Sequence, residues 1–539
     1  MSSLRSIVGP AFAALLSVLA LISGPAAGAG LTAPVEITVL HTSDTHAHLM
    51  PSDCASGTAM GGYARMKAYR DRLSASGKKV VMLSSGDVFQ GTLFFRFFRG
   101  IPDATFMSGM GYAAMTIGNH EFDAGQDALF EAFRDVSFPI LSANLRFTAN
   151  KSLPGLVKPS TVVTIPVGGQ AFRLGLIGIT DEHLENDVPK ANLKGIVVED
   201  AVTALRREVK KLQAQGCDAI FALTHSGWNR DLELAAQFPE ITGFLGGHSH
   251  VFADPPLVEG NSAGHRFISQ PGEFGTHVSR LDLRFEPDGT GARCIVTAAG
   301  LVPLTSDLPE DPSIKTTVNQ LWKQVEEKTS EQLAETVTRL DGDRPLVRSQ
   351  ETNLGNVIAD SLLNAVPGQI GLINGGGIRT SIAAGAVRIA DCLNVLPFDN
   401  YLTSLRMYGS TIQRLFEQVR KEMTTTAGYG GFLQVSRGLN VKYTPSGVEL
   451  TYLGRPLDPE AIYTVVTNDF LANGGNGLPQ FTECVSSETT PVLCADALMQ
   501  YVKKLKSIDA RIEGRIDRQV ELMPFRRPAH RIHVPRPID

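Results

Sequence analysis

The chain has 539 residues, of which 43% are hydrophobic and 19% charged, with 52 glycines. That length is several times a typical domain of about 100 to 200 residues, which excludes a disulfide-stapled miniprotein, and the composition excludes a disordered chain. With 50 Lys and Arg against 55 Asp and Glu, the formal net charge is −5, so there is no cationic field to neutralise a phosphate backbone, and a nucleic-acid polymer is not an expected partner.

The first element is an address. Residues 1–29 carry one early cation, Arg5, an apolar stretch over 7–22, and then Ala27, Gly28 and Ala29 in the A-x-A form that a signal peptidase accepts. This reads as a signal peptide cut after Ala29, because the apolar stretch is short for a bilayer core of about 30 Å. No Cys stands at the cut and no later run is long and apolar enough to span a membrane. The mature chain is expected to be periplasmic or secreted, without a membrane anchor.

From Val35 onward, short β-rich runs end in small or polar residues: 37–40 before His41, 80–83 before Ser84, 219–223 before Thr224, and 244–245 before Gly246. Amphipathic stretches such as 201–213 lie between them and read as helices, which makes an α/β layout. Around 306–310 the character turns to Pro and acid. From 311 to 340 the spacing of Val318, Leu321, Trp322 and Val325 predicts a long exposed helix that links two domains, 30–310 and 341–520. Gly-rich segments at 374–379 and 473–477 mark loops where the backbone approaches something closely. A basic, Pro-rich tail occupies 521–539.

The six cysteines, Cys54, Cys217, Cys294, Cys392, Cys484 and Cys494, contain no C-x-x-C pair. Cys217 and Cys392 stand beside apolar runs and read as buried thiols. Cys484 and Cys494 are close enough in sequence to close a short disulfide loop in an oxidising compartment.

The most informative residues sit at the C-terminal ends of the apolar runs. ITVLHTSDTHAHL presents Asp44 and His46, which share a face if the chain there is still extended. VVMLSSGDVFQGT ends in Gly86 and Asp87. MTIGNHEFD offers Asn119, His120 and Asp123, and the runs FALTHSG and FLGGHSHV supply His225, His248 and His250. Ligands bind at the carboxyl ends of strands in open α/β sheets, so five such ends can face one crevice. A lone histidine is more often structural, and His41, His48, His265 and His277 are read that way. The ordered set is different: imidazoles and carboxylates in this number suit a pair of divalent cations such as Zn or Mn, bridged by a carboxylate such as Asp87. Such a pair supplies a nucleophile from water and absorbs charge on a phosphoryl group, so metal-assisted hydrolysis of a phosphoester is the expected chemistry.

With D-x-H, GD, GNHE, H and GHSH in that order, the chain resembles the calcineurin-like metallophosphoesterases, and with its second half it resembles the 5′-nucleotidase family of bacterial periplasmic nucleotidases and UDP-sugar hydrolases. The resemblance implies a four-layered α/β/β/α metallophosphoesterase domain, a linker helix and a C-terminal α/β domain that binds the nucleoside. It implies two divalent metal ions (Zn, Mn or Co), one held by Asp44, His46, Asp87 and His250 and the other by Asp87, Asn119, His225 and His248. It also implies a catalytic dyad in which Asp123 orients His120 towards the phosphate.

The second half carries LINGGGIRTS, VLPFDN and TNDFLANGGNG. By resemblance to the N-x-G-G-I-R, L-P-F and D-F-x-x-x-G-G-D-G motifs, Arg379 contacts phosphate, Phe398 and Phe470 clamp the base, and Asn374 and Arg348 add polar contacts. Asn476 stands where relatives commonly place an Asp that accepts from ribose hydroxyls; an amide oxygen accepts as well but brings no charge. The implied activity is release of phosphate from nucleoside 5′-monophosphates, with hydrolysis of UDP-sugars or other nucleotide pyrophosphates as an extension. The rival within enzymes is a 2′,3′-cyclic nucleotide 2′-phosphodiesterase/3′-nucleotidase, and the rival outside them is a non-catalytic extracellular nucleotide-binding protein.

Overall fold

The computed structural model describes residues 31–53, 59–150, 152–261, 264–288, 292–522 and 535–537. The expected signal peptide over 1–29, Cys54 and most of the tail lie outside the described residues.

Each predicted strand of the first half forms, and period-2 alternation divides its side chains between two layers. In Val35–Thr42 and Val80–Ser84, Val39 and Leu83 point to one face and Leu40 and Met82 to the other. These strands belong to a seven-stranded sheet ordered Ala292–Pro303, His277–Pro287, Val35–Thr42, Val80–Ser84, Tyr112–Thr116, Ile140–Leu141 and Val157–Lys158. A second sheet of six strands runs Leu257–Asn261, Gly264–Ser269, Gly243–Gly246, Ala219–His225, Gln170–Thr180 and Ser160–Val167. Val39, Leu83, Phe172, Phe221, Leu245 and Phe285 fill one core between the two sheets. On the far side of the second sheet, Ile177, Ile179, Ile220 and Phe244 receive the apolar faces of helices Ala201–Ala214 and Trp228–Gln237. Leu40 and Met82 meet Tyr69 and Met107 of helices Tyr63–Ala75 and Ile101–Met110 on the far side of the first. The first half is thus helix, sheet, sheet, helix, as four layers require.

The second half is built on a five-stranded sheet ordered Leu433–Val435, Ile370–Asn374, Ile462–Asn468, Tyr401–Tyr408 and Ser486–Leu493, with helices Asn353–Ala365, Gly409–Thr425 and Cys494–Leu505 packed around it. Among the described residues no helix is long and apolar enough to cross a membrane.

Two expectations are corrected. The linking helix spans Pro312–Thr329, not 311–340, and it is exposed on one face only: Ile314, Val318, Leu321 and Val325 on the other are buried. Those positions fall on one face of a 3.6-residue repeat, and they join a cluster that continues into Val347, Leu354 and Ile358 of the second half. Asp311 caps the start by accepting from the Ile314 N–H at 2.9 Å, with Pro312 at the first helical position. After Thr329 the chain turns into strand Gln332–Thr336, which pairs with Gly385–Arg388 and Ser507–Ile508. Second, Cys484 and Cys494 are not joined. The eight extended residues Ser486–Leu493 between them, at roughly 3.3 Å each, hold the two sulfurs far beyond the Cα separation of about 7 Å that a disulfide tolerates.

Because Leu321 is fully buried in the cluster shared by both halves, Leu321→Ala is expected to destabilise the protein by about 2–5 kcal/mol, read as a lower midpoint in chemical denaturation. Val337, 65% exposed, is expected to tolerate Ala within about 0.5 kcal/mol.

Candidate active site

The loops that follow Val35–Thr42 and Val80–Ser84 are zipped together by their backbones. The N–H groups of Asp44, His46 and Ala47 donate to the carbonyls of Gly86, Asp87 and Val88 at 2.9, 3.0 and 2.8 Å. Contrary to expectation, Asp44 and His46 do not converge by strand alternation, because the chain has already left the extended state: their φ values are 50 and 48°. Asp87, His248 and His250 are also left-handed, at φ 50, 74 and 59°. Each such residue costs of order 1 kcal/mol or more and persists only because its surroundings over-determine it.

Asp87 lies at the centre. Its Oδ1 accepts the His120 backbone N–H at 2.9 Å. Its Oδ2 faces His225 Nε2 at 3.0 Å and the Nε2 atoms of His46 and His120 at 4.0 Å each. On one side of it, Asp44, His46 and His250 converge; on the other, His225 and His248 do so with Asn119. His250 Nε2 stands 3.3 Å from Asp44 Oδ1 and 3.1 Å from His46 Nε2. Asn119 Oδ1 stands 3.2 Å from His225 Nε2 and 3.0 Å from His248 Nδ1.

Whether this set suits divalent cations is answered by the outer ring nitrogens. His225 Nδ1 donates to the Ser85 carbonyl at 2.6 Å, and His46 Nδ1 donates to the carbonyls of Phe89 and Gln90 at 3.1 and 3.0 Å. His250 Nδ1 is held by the Glu273 carboxylate. In all three rings the proton is thereby fixed outside and the Nε2 lone pair turned inward, the tautomer that ligates metal. The electrostatics of the site is a demand for positive charge. Burial opposes charge on His225, yet the adjacent Asp87 carboxylate outweighs it and pushes the imidazole up to about 10. Burial, with Arg379 next, holds His46 well below its ordinary value. Lone pairs and carboxylates massed in a desolvated site are a fit for cations, and the seven residues named from the sequence are the ones brought together.

His120 is placed differently. Its Nδ1 is 2.6 Å from Asp123 Oδ2, so Asp123 sets its orientation while Nε2 is left facing the cavity. Burial opposes protonation of His120, but Asp123 and Asp87 outweigh it and raise its pKa. Phe398 of the second half stacks against the His120 ring, with centroids 5.9 Å apart and planes at 27°, and the Arg379 guanidinium lies 5.8 Å from the Phe398 centroid. That ring-on-ring contact between the halves was not legible in the sequence.

One cavity of about 1390 Å³ is lined from both halves. The second half contributes Arg348, Asn374, Arg379, Phe398, Phe470 and Asn476, all six residues named for it from the sequence. Phe470 lies over Gly475, where a Cβ would strike its ring. Arg348 Nη1 donates to the Gly428 carbonyl at 2.9 Å and leaves its buried Nε without a protein acceptor. Burial, and then Arg344, hold both Arg348 and Arg379 below their ordinary values, a strain that an anion between them relieves.

Sequence reading missed several supporting residues. The Glu121 carboxylate accepts from the N–H groups of Asp87, Val88, Phe89 and Gly118 at 3.0, 2.7, 3.2 and 2.7 Å. Its place in GNHE was the available signal. Glu273 has none, since it reaches His250 from a separate loop. Asp187 approaches His248 Nε2 at 3.9 Å, with Asp181 beside it.

Known proteins share these features. The family model described as calcineurin-like phosphoesterase matches residues 37–252, and that described as 5′-nucleotidase, C-terminal domain, matches 330–483. The human protein named 5′-nucleotidase is 32% identical over 94% of this chain and 94% of its own length. The Bacillus subtilis trifunctional nucleotide phosphoesterase protein YfkN is 31% identical over 89% of this chain, which spans 35% of that larger protein. The crystal structure of a 5′-nucleotidase precursor from Thermus thermophilus superposes with a TM-score of 0.81 at 33% identity, covering 90% of this chain and all of that one. The chain therefore belongs to the 5′-nucleotidase family, and is a metal-dependent phosphoric monoester hydrolase that acts on nucleotides.

Proposed function

We propose that the protein is exported and releases inorganic phosphate from nucleoside 5′-monophosphates, with a metallophosphoesterase domain over 30–310 and a nucleoside-binding domain over 341–520. The observation that carries the reading is the shared Asp87 carboxylate, with inward-facing donors on both of its sides and His120 at their rim. Asp44, His46, Asp87 and His250 would hold one divalent ion, and Asp87, Asn119, His225 and His248 the other, with Zn, Mn or Co as the candidates. Two such ions supply a nucleophile from water at neutral pH and charge stabilisation for an in-line displacement.

The protein's own groups do the rest. Arg379, with Arg348 behind it, binds the phosphate oxygens, since a guanidinium matches them bidentately. Asp123 accepts from His120 Nδ1–H and, with Asp87, favours the imidazolium, whose Nε2–H stabilises the phosphoryl oxygens or the leaving oxygen as charge develops. Phe398 and Phe470 supply aromatic faces for the base, each stack contributing about 1–3 kcal/mol. The reaction is nucleoside monophosphate and water to nucleoside and phosphate. The signal-like segment at 1–29 supports export, and the YfkN likeness supports testing nucleotide pyrophosphates such as UDP-sugars and 2′,3′-cyclic nucleotides beside AMP.

Phosphate release from AMP is expected to vanish on chelation and to return on addition of Zn, Mn or Co; saturable nucleotide binding without metal-dependent release would overturn the enzyme reading. His120→Ala is expected to lower kcat by about 10² to 10⁴ with metal content unchanged. Gly118→Ala tests the seat of Asp87, because a Cβ there overlaps Asp87 Oδ1 and its backbone nitrogen. Metal affinity, measured by titration, is expected to fall about 10- to 100-fold.

A further inference from the structure

The loop that follows strand Gly243–Gly246 delivers imidazoles to opposite sides of Asp87 from positions only two apart. His248 Nδ1 faces Asn119 Oδ1 at 3.0 Å, and His250 Nε2 faces Asp44 Oδ1 at 3.3 Å. Both residues are left-handed, at φ 74 and 59°, a path that persists only where something outside the loop holds it. Gln270 does so. It is fully buried and follows strand Gly264–Ser269, which runs parallel to Gly243–Gly246 with Ser269 opposite Leu245. Its side chain therefore stands beside the loop that leaves the neighbouring strand. Its Oε1 accepts the Val251 N–H at 2.7 Å and the Ser249 hydroxyl at 2.8 Å, and its Nε2 donates to the Gly247 carbonyl. A backbone N–H only donates and a carbonyl only accepts, so the main chain fixes both ends of the amide; a carboxylate or an apolar chain of the same length leaves at least one of these groups unmet.

From this bracket we infer that Gln270 is a positioning residue for both metal positions at once: it grips residues 247, 249 and 251, and so aims the two histidines between them, without touching metal or substrate. Its partners extend the grip. A Cβ on Gly247 would lie 2.9 Å from His225 Nδ1 and 3.0 Å from Asp44 Oδ2, so this backbone is wedged between a ligand of each side. Ser249 Oγ accepts the Trp228 N–H at 2.9 Å, which leaves its hydrogen for Gln270 and ties the loop to the start of helix Trp228–Gln237. The Gln270 carbonyl in turn accepts the Ala253 N–H at 3.0 Å, just beyond the loop. Of the two histidines, Glu273 holds His250 alone. Loss of the Gln270 amide therefore loosens both ions, and loss of the Glu273 carboxylate loosens one. This inference rests on the two-ion reading proposed above.

Gln270→Met keeps the length of the side chain and removes all three bonds. The readout is a stepwise Co(II) titration of the metal-free full chain by calorimetry, with the visible absorption of the bound ions as a signature of their ligand geometry. Both affinities are expected to fall about 10- to 100-fold and the visible bands to shift, whereas Glu273→Ala lowers one affinity and leaves the other within about threefold. Leu321→Ala, destabilised away from the site, is the control for general loosening and is expected to keep both affinities. If Gln270→Met does not fold, Ser249→Ala carries the test, since it removes one of the three bonds and leaves the buried amide in place; a loss above about threefold at both positions is expected. A folded variant with both affinities within about threefold of wild type, a loss confined to one position, or an equal loss in Leu321→Ala overturns the Gln270 assignment. If wild type itself binds fewer than two ions, the two-ion reading fails, and the assignment falls with it.

Discussion

The whole site depends on removing charge and lone pairs from water at one place. Asp44, Asp87 and His225 are 0 to 1% exposed, and their mutual approach is tolerable only because each has one edge committed to the backbone. Asp87 Oδ1 takes an N–H, His225 gives its outer proton to Ser85, and the His248 N–H reaches Asp44 Oδ1 at 2.9 Å. What remains unpaired points inward. An unpaired buried charge is among the costliest things a fold can hold, so the inward set has to be met by cations or by protons. The Asp87 carboxylate raising His225 reflects the same demand for positive charge.

The scaffold makes this affordable by sharing one loop framework between the two sheets. Val35–Thr42 and Val80–Ser84 lie side by side and parallel in one sheet, and Ala219–His225 and Gly243–Gly246 do so in the other. Their carboxyl ends open on the same edge, so ligand-type residues some two hundred positions apart need only short loops to meet. Ser85 shows the coupling directly: its hydroxyl donates to the Leu245 carbonyl across the sheets at 2.5 Å, while its own carbonyl holds His225.

Much of this was readable in advance, because strands announce themselves by β-rich runs and turn residues, and because D-x-H, GD, GNHE and GHSH carry their chemistry in their letters. What could not be read was geometry made by non-local partners. Asp44 and His46 meet through left-handed turns locked to the neighbouring loop, which alternation could not foretell. Glu273 orients His250 from 23 residues away in a segment with no motif. The linking helix was over-extended in the reading because the charged residues after Thr329 continue a helix-compatible composition, while strand pairing with Gly385–Arg388 decides otherwise.

Asp399 sits next to Phe398 and receives two guanidiniums from the other half, Arg96 at 3.0 Å and Arg99 at 2.8 Å. Its carboxylate is 42% exposed, and half-solvated pairs of this kind contribute no more than about 1 kcal/mol each. The clasp across the mouth is therefore light. It is strong enough to bias the aromatic ring towards the imidazole, yet thermal motion undoes it readily, so spent product can leave by the way the nucleotide came in.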